Sequence, residues 1–356
     1  MNESGFTSYS QDATYGEIHS QAESCAETVA RAGDRLRSVT DLLPFEQYSD
    51  IILTGCGSSY NLANCASFAW DGLLGMTTRA APSSELLFHP ESYLNGSKPL
   101  VVAISRTGAT TEVQLAVERL RSEHSARALA ITGMPGSPVG EACDAELAFT
   151  ECPEDSVVMT QAFTCMLVGL YLIADGASKG SYADELAQIP SLIAAALPAS
   201  EPVMRHLGEQ DDIDAFFFLG SSLMKGLADE CALKVTEMAL QPALSHRSLE
   251  FRHGPKAALN EHSQVIIFPT SAERPHLATL LAEIKETRAS TLLVGDAPGL
   301  GHRRSEFLSM DERLSEIFRP ALYAHLGQLL GYWRARSKGL NPDSPRHLAR
   351  TVLLEA

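Results

Sequence analysis

Residues 51–59 read IILTGCGSS, a short apolar run that ends in a turn with two glycines. Residues 216–222 read FFFLGSS, and Gly220 in this stretch lies 163 residues after Gly57 in the first. An apolar run of this length without alternation is typical of a strand that helices cover on both faces. The two stretches therefore predict two buried strands, each followed by a tight turn.

Two further landmarks recur in the same order. LVVAIS at 100–105 corresponds to VIIFPT at 265–270. LAITG at 129–133 corresponds to LLVG at 292–295, and a Pro-Gly pair follows each of these two stretches. Segments of helical character follow the second landmark at 111–122 and 274–287. Three landmarks at nearly one offset indicate an internal duplication, and strands that alternate with helices predict βαβ units with parallel sheets.

Composition limits the class of protein. A length of 356 residues predicts two domains of roughly 150 residues each. The formal net charge of −16 disfavours nucleic acid as a partner. The seven cysteines form no C-x-x-C pair, which disfavours a zinc or dithiol site and fits a reducing compartment. Because the N-terminus lacks a signal-peptide pattern and no apolar run reaches bilayer length, we expect a cytoplasmic protein without a membrane partner.

Two hydroxyl-rich turns follow the first two landmarks. SRTGATT at 105–111 brings four hydroxyls and a glycine to the start of a helix, which suits a phosphate dianion. The alternative is an ordinary helix cap by Thr110 or Thr111. GCGSSY at 55–60 allows close approach to a ligand but lacks the third glycine of a dinucleotide fingerprint, and its alternative is a plain turn. TQAFT at 160–164 predicts another helix N-terminus for the same cleft.

Acid–base groups occur in the second repeat. Glu230 and Glu237 lie two turns apart on nearly the same helix face, where a carboxylate can move a proton between neighbouring carbons. Lys234 lies between them, so on spacing alone surface ion pairs are the favoured interpretation. His253 in FRHGPK is fixed by the Gly-Pro turn, either as an acid–base group or as a packed structural residue. The stretch 341–352, with two prolines and two arginines, taken alone is typical of an exposed tail.

Together these segments resemble the sugar-isomerase (SIS) domain superfamily. The resemblance is to the isomerase half of glutamine:fructose-6-phosphate amidotransferase and to the galactosamine- or glucosamine-6-phosphate deaminase/isomerase group. It covers about residues 35 to 356 and rests on GCGSSYN, SRTGATTE, MTQAFT, ALKVTEM with FRHGPK, and NPDSPRHLARTV. It implies an α/β fold of two tandem SIS domains, each a three-layer, flavodoxin-like α-β-α unit with a parallel sheet. The implied parts are a helical lead-in at 1–34, SIS domain 1 at 35–188 with the phosphate site, a linker at 189–202, SIS domain 2 at 203–339, and a tail at 340–356 that closes over the site.

The resemblance also implies roles for single residues. Glu237 matches the base that moves a proton between C1 and C2 of an open-chain sugar, and Glu230 matches a second carboxylate nearby. His253 matches the histidine that opens the sugar ring, often across a homodimer interface. The implied partner is a hexose or hexosamine 6-phosphate, with no metal or other cofactor. The implied phosphate- and substrate-binding residues are Gly57, Ser58, Ser59, Ser105, Arg106 through its backbone, Thr107, Thr110, Val158, Thr160 and Arg350.

Two departures from the family pattern affect the expected activity. Arg350 stands where the amidotransferase has a lysine that forms a Schiff base, and a protonated arginine does not readily act as a nucleophilic amine. Gln161 replaces the lysine of the family's Ser-Thr-Lys segment, and this sequence has no glutaminase domain. We therefore expect an amino-sugar-phosphate deaminase or aldose–ketose isomerase. A fructosamine-6-phosphate deglycase and a non-catalytic phosphosugar sensor are the alternatives.

Overall fold

The chain divides into two compact units. Unit 1 comprises Met1–His19 and Ser191–Leu348, and unit 2 comprises Ser20–Pro190 and Ala349–Ala356. Each end of the chain is thus shared between the units, whereas the prediction assigned each end to a separate segment. The computed structural model describes residues 12–94, 98–178, 180–295, 305–310 and 313–354.

Unit 2 is built on a five-stranded parallel sheet in the order β2-β1-β3-β4-β5. Every residue of β1 and β3 is buried, because these central strands have helices against both faces. This order is that of doubly wound, flavodoxin-like sheets, so the prediction of a parallel α/β sheet is confirmed. The strands are β1 (Asp50–Gly55), β2 (Thr78–Pro82), β3 (Pro99–Ser105), β4 (Arg127–Thr132) and β5 (Ala145–Ala148).

The helices of this half of the sequence cover the sheet. On α5, Val113, Val117 and Leu120 recur at helical spacing and pack against the strands in one buried cluster with Ile52 and Val101. The bounds are α1 (Ala13–Ala30, shared between the units), α2 (Ala32–Ser38), α3 (Ser58–Leu74), α4 (Ser83–Phe88), α5 (Thr111–His124), α6 (Pro138–Ala142), α7 (Gln161–Ser178) and α8 (Ala183–Leu186).

Helix α7 is the most apolar of the helices of unit 2. By length and composition alone it is a candidate membrane span, which corrects the prediction that no apolar run reaches bilayer length. Its 18-residue window is 78 % buried inside the fold, and the core helix of a soluble protein has the same length and composition. The burial explains the composition, since a helix enclosed on all sides is apolar all round.

Unit 1 repeats the architecture. Its parallel strands lie in the order β10-β9-β8-β6-β7, which is the order of the first sheet with β6 in the place of β1. Gly55 and Gly220 each end their strand, so Gly220 corresponds to Gly55 and Ser222 corresponds to Gly57, with φ of 54° at both. The second Pro-Gly pair, at 298–299, lies outside the described residues. The strands are β6 (Ala215–Gly220), β7 (Ala243–His246), β8 (Ser263–Phe268), β9 (Ser290–Val294) and β10 (Ser305–Leu308).

Two glycines allow the helices Leu223–Ala239 and Arg319–Ser337 of unit 1 to pack unusually close together. A Cβ at Gly327 would lie 2.5 Å from the Cys231 Cα, and a Cβ at Gly331 would lie 2.7 Å from the Lys234 carbonyl oxygen. Only glycine permits this approach, and it encloses the middle of the helix that carries Lys234. The helices are α9 (Ile189–Glu209), α10 (Leu223–Ala239), α11 (Arg274–Glu286) and α12 (Arg319–Ser337).

The predicted linker at 189–202 is helical, and the boundary between the two units, after Pro190, falls within it. These residues lie in α9, a helix of 21 residues with Pro198 and Pro202 inside it. Each interior proline costs a helix about 3 kcal/mol. The helical spacing of buried Leu192, Ile193 and Leu197 offsets this cost, because each buried aliphatic side chain contributes about 1.5–3 kcal/mol.

The beginning of the tail, from residue 340, caps the N-terminal helix. The Asp343 carboxylate accepts hydrogen bonds from the backbone N–H groups of Ala13 and Thr14, at 3.0 and 2.8 Å, and from the Thr14 hydroxyl. A carboxylate in this position satisfies the first N–H groups of α1 and is favoured by the helix dipole. The predicted helical lead-in at 1–34 thus ends in helical structure, while residues 1–11 lie outside the described part.

A buried histidine makes the stability of unit 1 depend on pH. His325 of α12 lies 2.7 Å from the Ser200 hydroxyl of α9, and burial lowers its pKa to about 4. The unfolded chain binds this proton near pH 6.5, so stability present above pH 6.5 is lost as the pH falls toward 4. We expect the protonation of His325 to lower the free energy of unfolding by about 3 kcal/mol as the pH falls from 6.5 to 4. Urea unfolding of His325→Gln should show a correspondingly flatter pH dependence, and an unchanged slope would contradict this.

Candidate functional site

The loop between β3 and α5 places two hydroxyls at the end of a central strand. Ser105 is buried, and its hydroxyl lies 3.0 Å from that of Thr110. Thr110 directly precedes α5, yet its side chain makes no capping hydrogen bond to the helix. The capping alternative therefore does not account for Thr110. A hydroxyl pair beside a helix N-terminus that lacks a side-chain cap suits an anion.

The backbone of this loop is fixed from the side of β4. The carbonyl oxygen of Arg106 accepts a hydrogen bond from Gly133 N–H at 2.9 Å, and that of Gly108 accepts one from Val139 N–H at 2.8 Å. Thr107 accepts from the backbone N–H of Ala109 at 3.4 Å. Because these bonds hold the loop in one conformation, its donors are preorganised and a ligand need not order them.

Thr110→Val separates binding from helix capping. We expect the variant to bind a hexose 6-phosphate about 10-fold more weakly, since a hydrogen bond to a charged group contributes about 1.5–3 kcal/mol. Its free energy of unfolding should fall by about 1 kcal/mol, because the hydrogen bond to the buried Ser105 hydroxyl is lost although no cap is. Ser137→Ala provides the comparison: Ser137 caps α6 by accepting from Gly140 N–H at 3.1 Å, and its loss should cost about 1 kcal/mol. Calorimetry and urea unfolding measure both quantities.

The turn between β1 and α3 lies at the neighbouring strand end. Gly57 precedes α3 with φ of 54°, and Ser58 and Ser59 begin the helix as buried residues. Burial raises the pKa of the Cys56 thiol to about 11, so this cysteine is not a ready nucleophile. β1 and β3 are parallel neighbours, so this turn and the loop at 105–110 leave the same edge of the sheet. Ligands of open α/β sheets bind at such an edge.

The Arg106 side chain contacts the segment before α7. One guanidinium nitrogen lies 2.8 Å from Oε2 of Glu154, and another donates to the carbonyl oxygen of Val157 at 2.7 Å. The Glu154 carboxylate is only 1 % exposed. The guanidinium thus organises this segment, in keeping with the expectation that Arg106 serves a ligand through its backbone.

The N-terminus of α7 is already occupied. Oε1 of Glu154 accepts hydrogen bonds from the backbone N–H groups of Thr160 and Ala162, at 2.7 and 3.0 Å, and from the Thr160 hydroxyl at 3.0 Å. The prediction that this helix end is offered to a ligand is wrong, because a carboxylate of the protein fills it. Thr160 is fully buried and donates its hydroxyl to Glu154, and the Val158 side chain is also buried. Sequence reasoning missed Glu154, which lies outside the spacing of a capping box.

The two departures from the family pattern have structural partners in unit 2. Arg350 donates a hydrogen bond to the carbonyl oxygen of Glu154. Gln161 is buried, donates to the carbonyl oxygen of Pro153 and accepts from the Ser24 hydroxyl at 2.8 Å. Arg350 therefore contacts the residue that holds Arg106, while Gln161 contributes to the packing of α7.

In unit 1, three charged side chains of α10 form a buried cluster. The Lys234 ammonium lies 3.3 Å from Oε1 of Glu230 and 2.7 Å from Oε2 of Glu237. Glu230 is 0 % exposed and Lys234 1 %, whereas Glu237 keeps 20 % of its side chain exposed. The interpretation as surface ion pairs is therefore wrong, because α12 encloses the cluster. Glu237 is the member that reaches the surface of this unit, and Glu230 contacts Lys234 in the interior.

The electrostatics of the cluster keep the lysine charged. Burial alone would lower the pKa of Lys234, but the adjacent carboxylates of Glu230 and Glu237 raise it above its ordinary value. One ammonium between two carboxylates leaves the cluster a formal charge of −1. The fixed cation orients the Glu237 carboxylate, and its partial exposure leaves an oxygen accessible to a proton donor.

His253 lies at an exposed turn of unit 1. It follows a 3₁₀ helix at Glu250–Arg252, and its backbone N–H donates to the Glu250 carbonyl oxygen at 2.9 Å. The turn is held firmly, since Arg252 and Lys256 both bind Glu283, at 2.6 and 2.8 Å. The structure therefore confirms a fixed turn but leaves the imidazole exposed, and the alternative of a packed histidine is wrong.

The corresponding loop of unit 1, after β8, is filled by the protein itself. The N–H and hydroxyl of Thr270 donate to Oε2 of Glu273 at 3.1 and 3.0 Å, and Ser271 N–H donates to Oε2 of Glu316 at 2.6 Å. Two carboxylates thus occupy the donors of this loop, which disfavours it as a second anion site. Across the described residues, no group of three or more His, Cys, Asp and Glu side chains is placed to hold a metal ion.

Comparison with known protein families gives one match. Residues 45–175 match the SIS domain, a stretch that includes the turn at 57–59 and the loop at 105–110 of unit 2. The glutamine–fructose-6-phosphate aminotransferase of Methanothermobacter thermautotrophicus is 25 % identical over 342 residues, and that of Thermococcus kodakarensis is 28 % identical over 351 residues. Each alignment covers 95 % of this chain and 57 % of the relative, so the chain spans little more than half the length of these proteins.

Solved structures extend the similarity over nearly the whole chain. Glucosamine-6-phosphate deaminase from Thermotoga maritima is 29 % identical with a TM-score of 0.79, covering 96 % of this chain and 100 % of that one. Tagatose-6-phosphate ketose/aldose isomerase from Escherichia coli has a TM-score of 0.83 at 21 % identity, covering 94 % and 95 % of the two chains, which shows a shared fold. The resemblance predicted from the five sequence segments is therefore confirmed.

Proposed function

Since this chain carries an SIS domain and is homologous to the isomerase part of glutamine–fructose-6-phosphate aminotransferases, we propose that it is a phosphosugar isomerase acting on an amino-hexose 6-phosphate, with release of ammonia. The observation that carries the proposal is the cluster on α10. It holds Glu237 against a buried ammonium and leaves that carboxylate partly exposed. A sensor that only binds its ligand has no need of such a group.

Unit 2 supplies the proposed phosphate site. The hydroxyls of Ser105 and Thr110, the donors of the turn at 57–59 and the N-terminus of α5 form a neutral set of donors for a dianion. A helix N-terminus alone contributes about 0.3–2 kcal/mol, so the hydroxyls must act together with it. Binding at a preorganised site converts part of the phosphate binding energy into correct orientation of the sugar.

Glu237 is the proposed base. It would remove the proton from C2 of the open-chain aldose and return it to C1, so that an enolamine becomes a ketose imine. Addition of water to C2 of the imine then releases ammonia and leaves the ketose 6-phosphate. Lys234 contributes by holding Glu237, and Glu230 by keeping Lys234 charged.

His253 is proposed to transfer the proton that opens the sugar ring. Its exposure on a rigid turn leaves the imidazole accessible to a sugar ring oxygen. We also propose that the chain forms a homodimer in which His253 serves the partner's site, as the family resemblance implies. Arg350 does not offer the free amine that a Schiff base requires, which favours this acid–base route.

The test is an assay of ammonia and ketose-phosphate formation. Purified protein is incubated with glucosamine 6-phosphate or galactosamine 6-phosphate, without added metal. Release of ammonia from one sugar and not the other supports the proposal and identifies the epimer. Turnover of neither, together with saturable binding of glucose 6-phosphate, would overturn the deaminase proposal in favour of a sensor, and turnover of a fructosamine 6-phosphate instead would favour a deglycase.

A further inference from the structure

Glu154 connects three elements of unit 2 that are distant in sequence. Its Oε2 pairs with Arg106 of the loop at 105–110, at 2.8 Å. Its Oε1 accepts the N–H groups of Thr160 and Ala162 at the start of α7. Its carbonyl oxygen accepts a hydrogen bond from Arg350 of the tail. One residue thus contacts the phosphate loop, a core helix and the tail.

We infer that Glu154 is a positioning residue that couples the position of the tail to the conformation of the phosphate loop. The inference rests on the proposed function, because that proposal assigns the loop at 105–110 to phosphate. Arg350 in this chain then acts as a latch: its guanidinium is attached to the loop through the backbone and side chain of Glu154. A substitution of Arg106 should therefore loosen the attachment of Arg350, although the two side chains share no direct contact among those described.

The burial of the carboxylate makes the coupling strong. Glu154 is 1 % and Arg106 12 % exposed, so removing the negative charge leaves a largely buried cation without its partner. Breaking a buried pair in this way is strongly destabilising where nothing compensates for the charge left behind. The segment 154–157 would then lose its attachment to Arg106, and with it the fixed carbonyl oxygen to which Arg350 binds.

A neighbouring carboxylate gives a matched control. Glu151 is also fully buried and binds Arg35 through both oxygens, at 2.6 and 2.7 Å, and the Thr28 hydroxyl at 2.7 Å. Its partners belong to the N-terminal helices and not to the loop or the tail. Glu151→Gln therefore reproduces the loss of a buried carboxylate–arginine pair three residues away, without the proposed coupling.

The first experiment needs no ligand. The full-length chain is digested briefly with trypsin, and release of the C-terminal peptide after Arg350 is followed by mass spectrometry. We expect release to be about 10-fold faster in Glu154→Gln and in Arg106→Met than in the wild type, and unchanged in Glu151→Gln. Equal rates in Glu154→Gln and Glu151→Gln, or no effect of Arg106→Met, would overturn the inference.

The second experiment tests whether Glu154 and the tail affect binding at the phosphate loop. Calorimetry with glucose 6-phosphate should give a Kd raised about 10-fold in Glu154→Gln and about 5-fold in Arg350→Ala. The double variant should resemble Glu154→Gln alone, because both changes break one connection, whereas independent effects would multiply. Multiplying effects would overturn the inference. Absence of binding by the wild type would refute the proposed function instead, and the release of the tail peptide would still decide the inference.

Discussion

Glu237→Gln is expected to lower the turnover of the amino-sugar phosphate by about 100-fold or more. A neutral amide of nearly the same shape cannot accept the C2 proton, and general acid–base catalysis contributes typically 10²–10⁴-fold to a rate. The proposed phosphate site lies in unit 2, so the affinity for glucose 6-phosphate should stay within about twofold of the wild type. Steady-state assays of ammonia release and calorimetry measure the two quantities separately.

The control for this prediction is Glu286→Gln. Glu286 ends α11 on the exposed surface of the same unit and makes none of the buried contacts that surround Lys234. We expect it to retain wild-type turnover, which would exclude a general effect of removing a negative charge from unit 1. Near-normal turnover in Glu237→Gln would refute the assignment of the base, and an equal loss in both variants would point to folding or stability.

The strands and turns of the proposed phosphate site could be predicted because their signals are local. An apolar run that ends in glycine and hydroxyl residues specifies a strand, a turn and a helix start within about ten residues. The structure accordingly places residues 57–59 and 105–110 at adjacent strand ends. The helical structure of residues 189–202 could not be predicted, since their prolines are a local signal that the burial of α9 overrides.

The roles of Lys234 and Glu154 depend on contacts that no local pattern reveals. Spacing alone favoured surface ion pairs for Glu230, Lys234 and Glu237, and only the close approach of Gly327 and Gly331 on α12 buries them. Glu154 acquires its partners from the loop after β3 and from the tail, 48 and 196 residues away. Single-residue types can suggest such clusters, but the fold decides which of them form.

Gly108→Ala is expected to weaken binding of glucose 6-phosphate by about 100-fold or more. Gly108 has φ of 66°, and a Cβ there would overlap the Cβ and Oγ of Ser137. Ser137 cannot move cheaply, because its hydroxyl donates to Glu146 at 2.8 Å and accepts from Gly140 N–H. The loop must therefore shift, and a shift that disrupts two donors to the phosphate costs about 2.7 kcal/mol, which is a factor of 100 in Kd.

Gly136→Ala isolates the clash from the cost of the backbone conformation. Gly136 has φ of 67°, and a Cβ there would meet no atom within 4 Å, so alanine should lower stability by only about 1 kcal/mol and leave binding unchanged. If Gly108→Ala folds poorly, Gly108→Ala with Ser137→Gly removes the overlapping atoms and should recover most of the affinity. Calorimetry and urea unfolding follow the three variants. Wild-type affinity in Gly108→Ala would show that the phosphate does not bind at this loop, because the overlap with Ser137 leaves the loop no way to keep its present conformation.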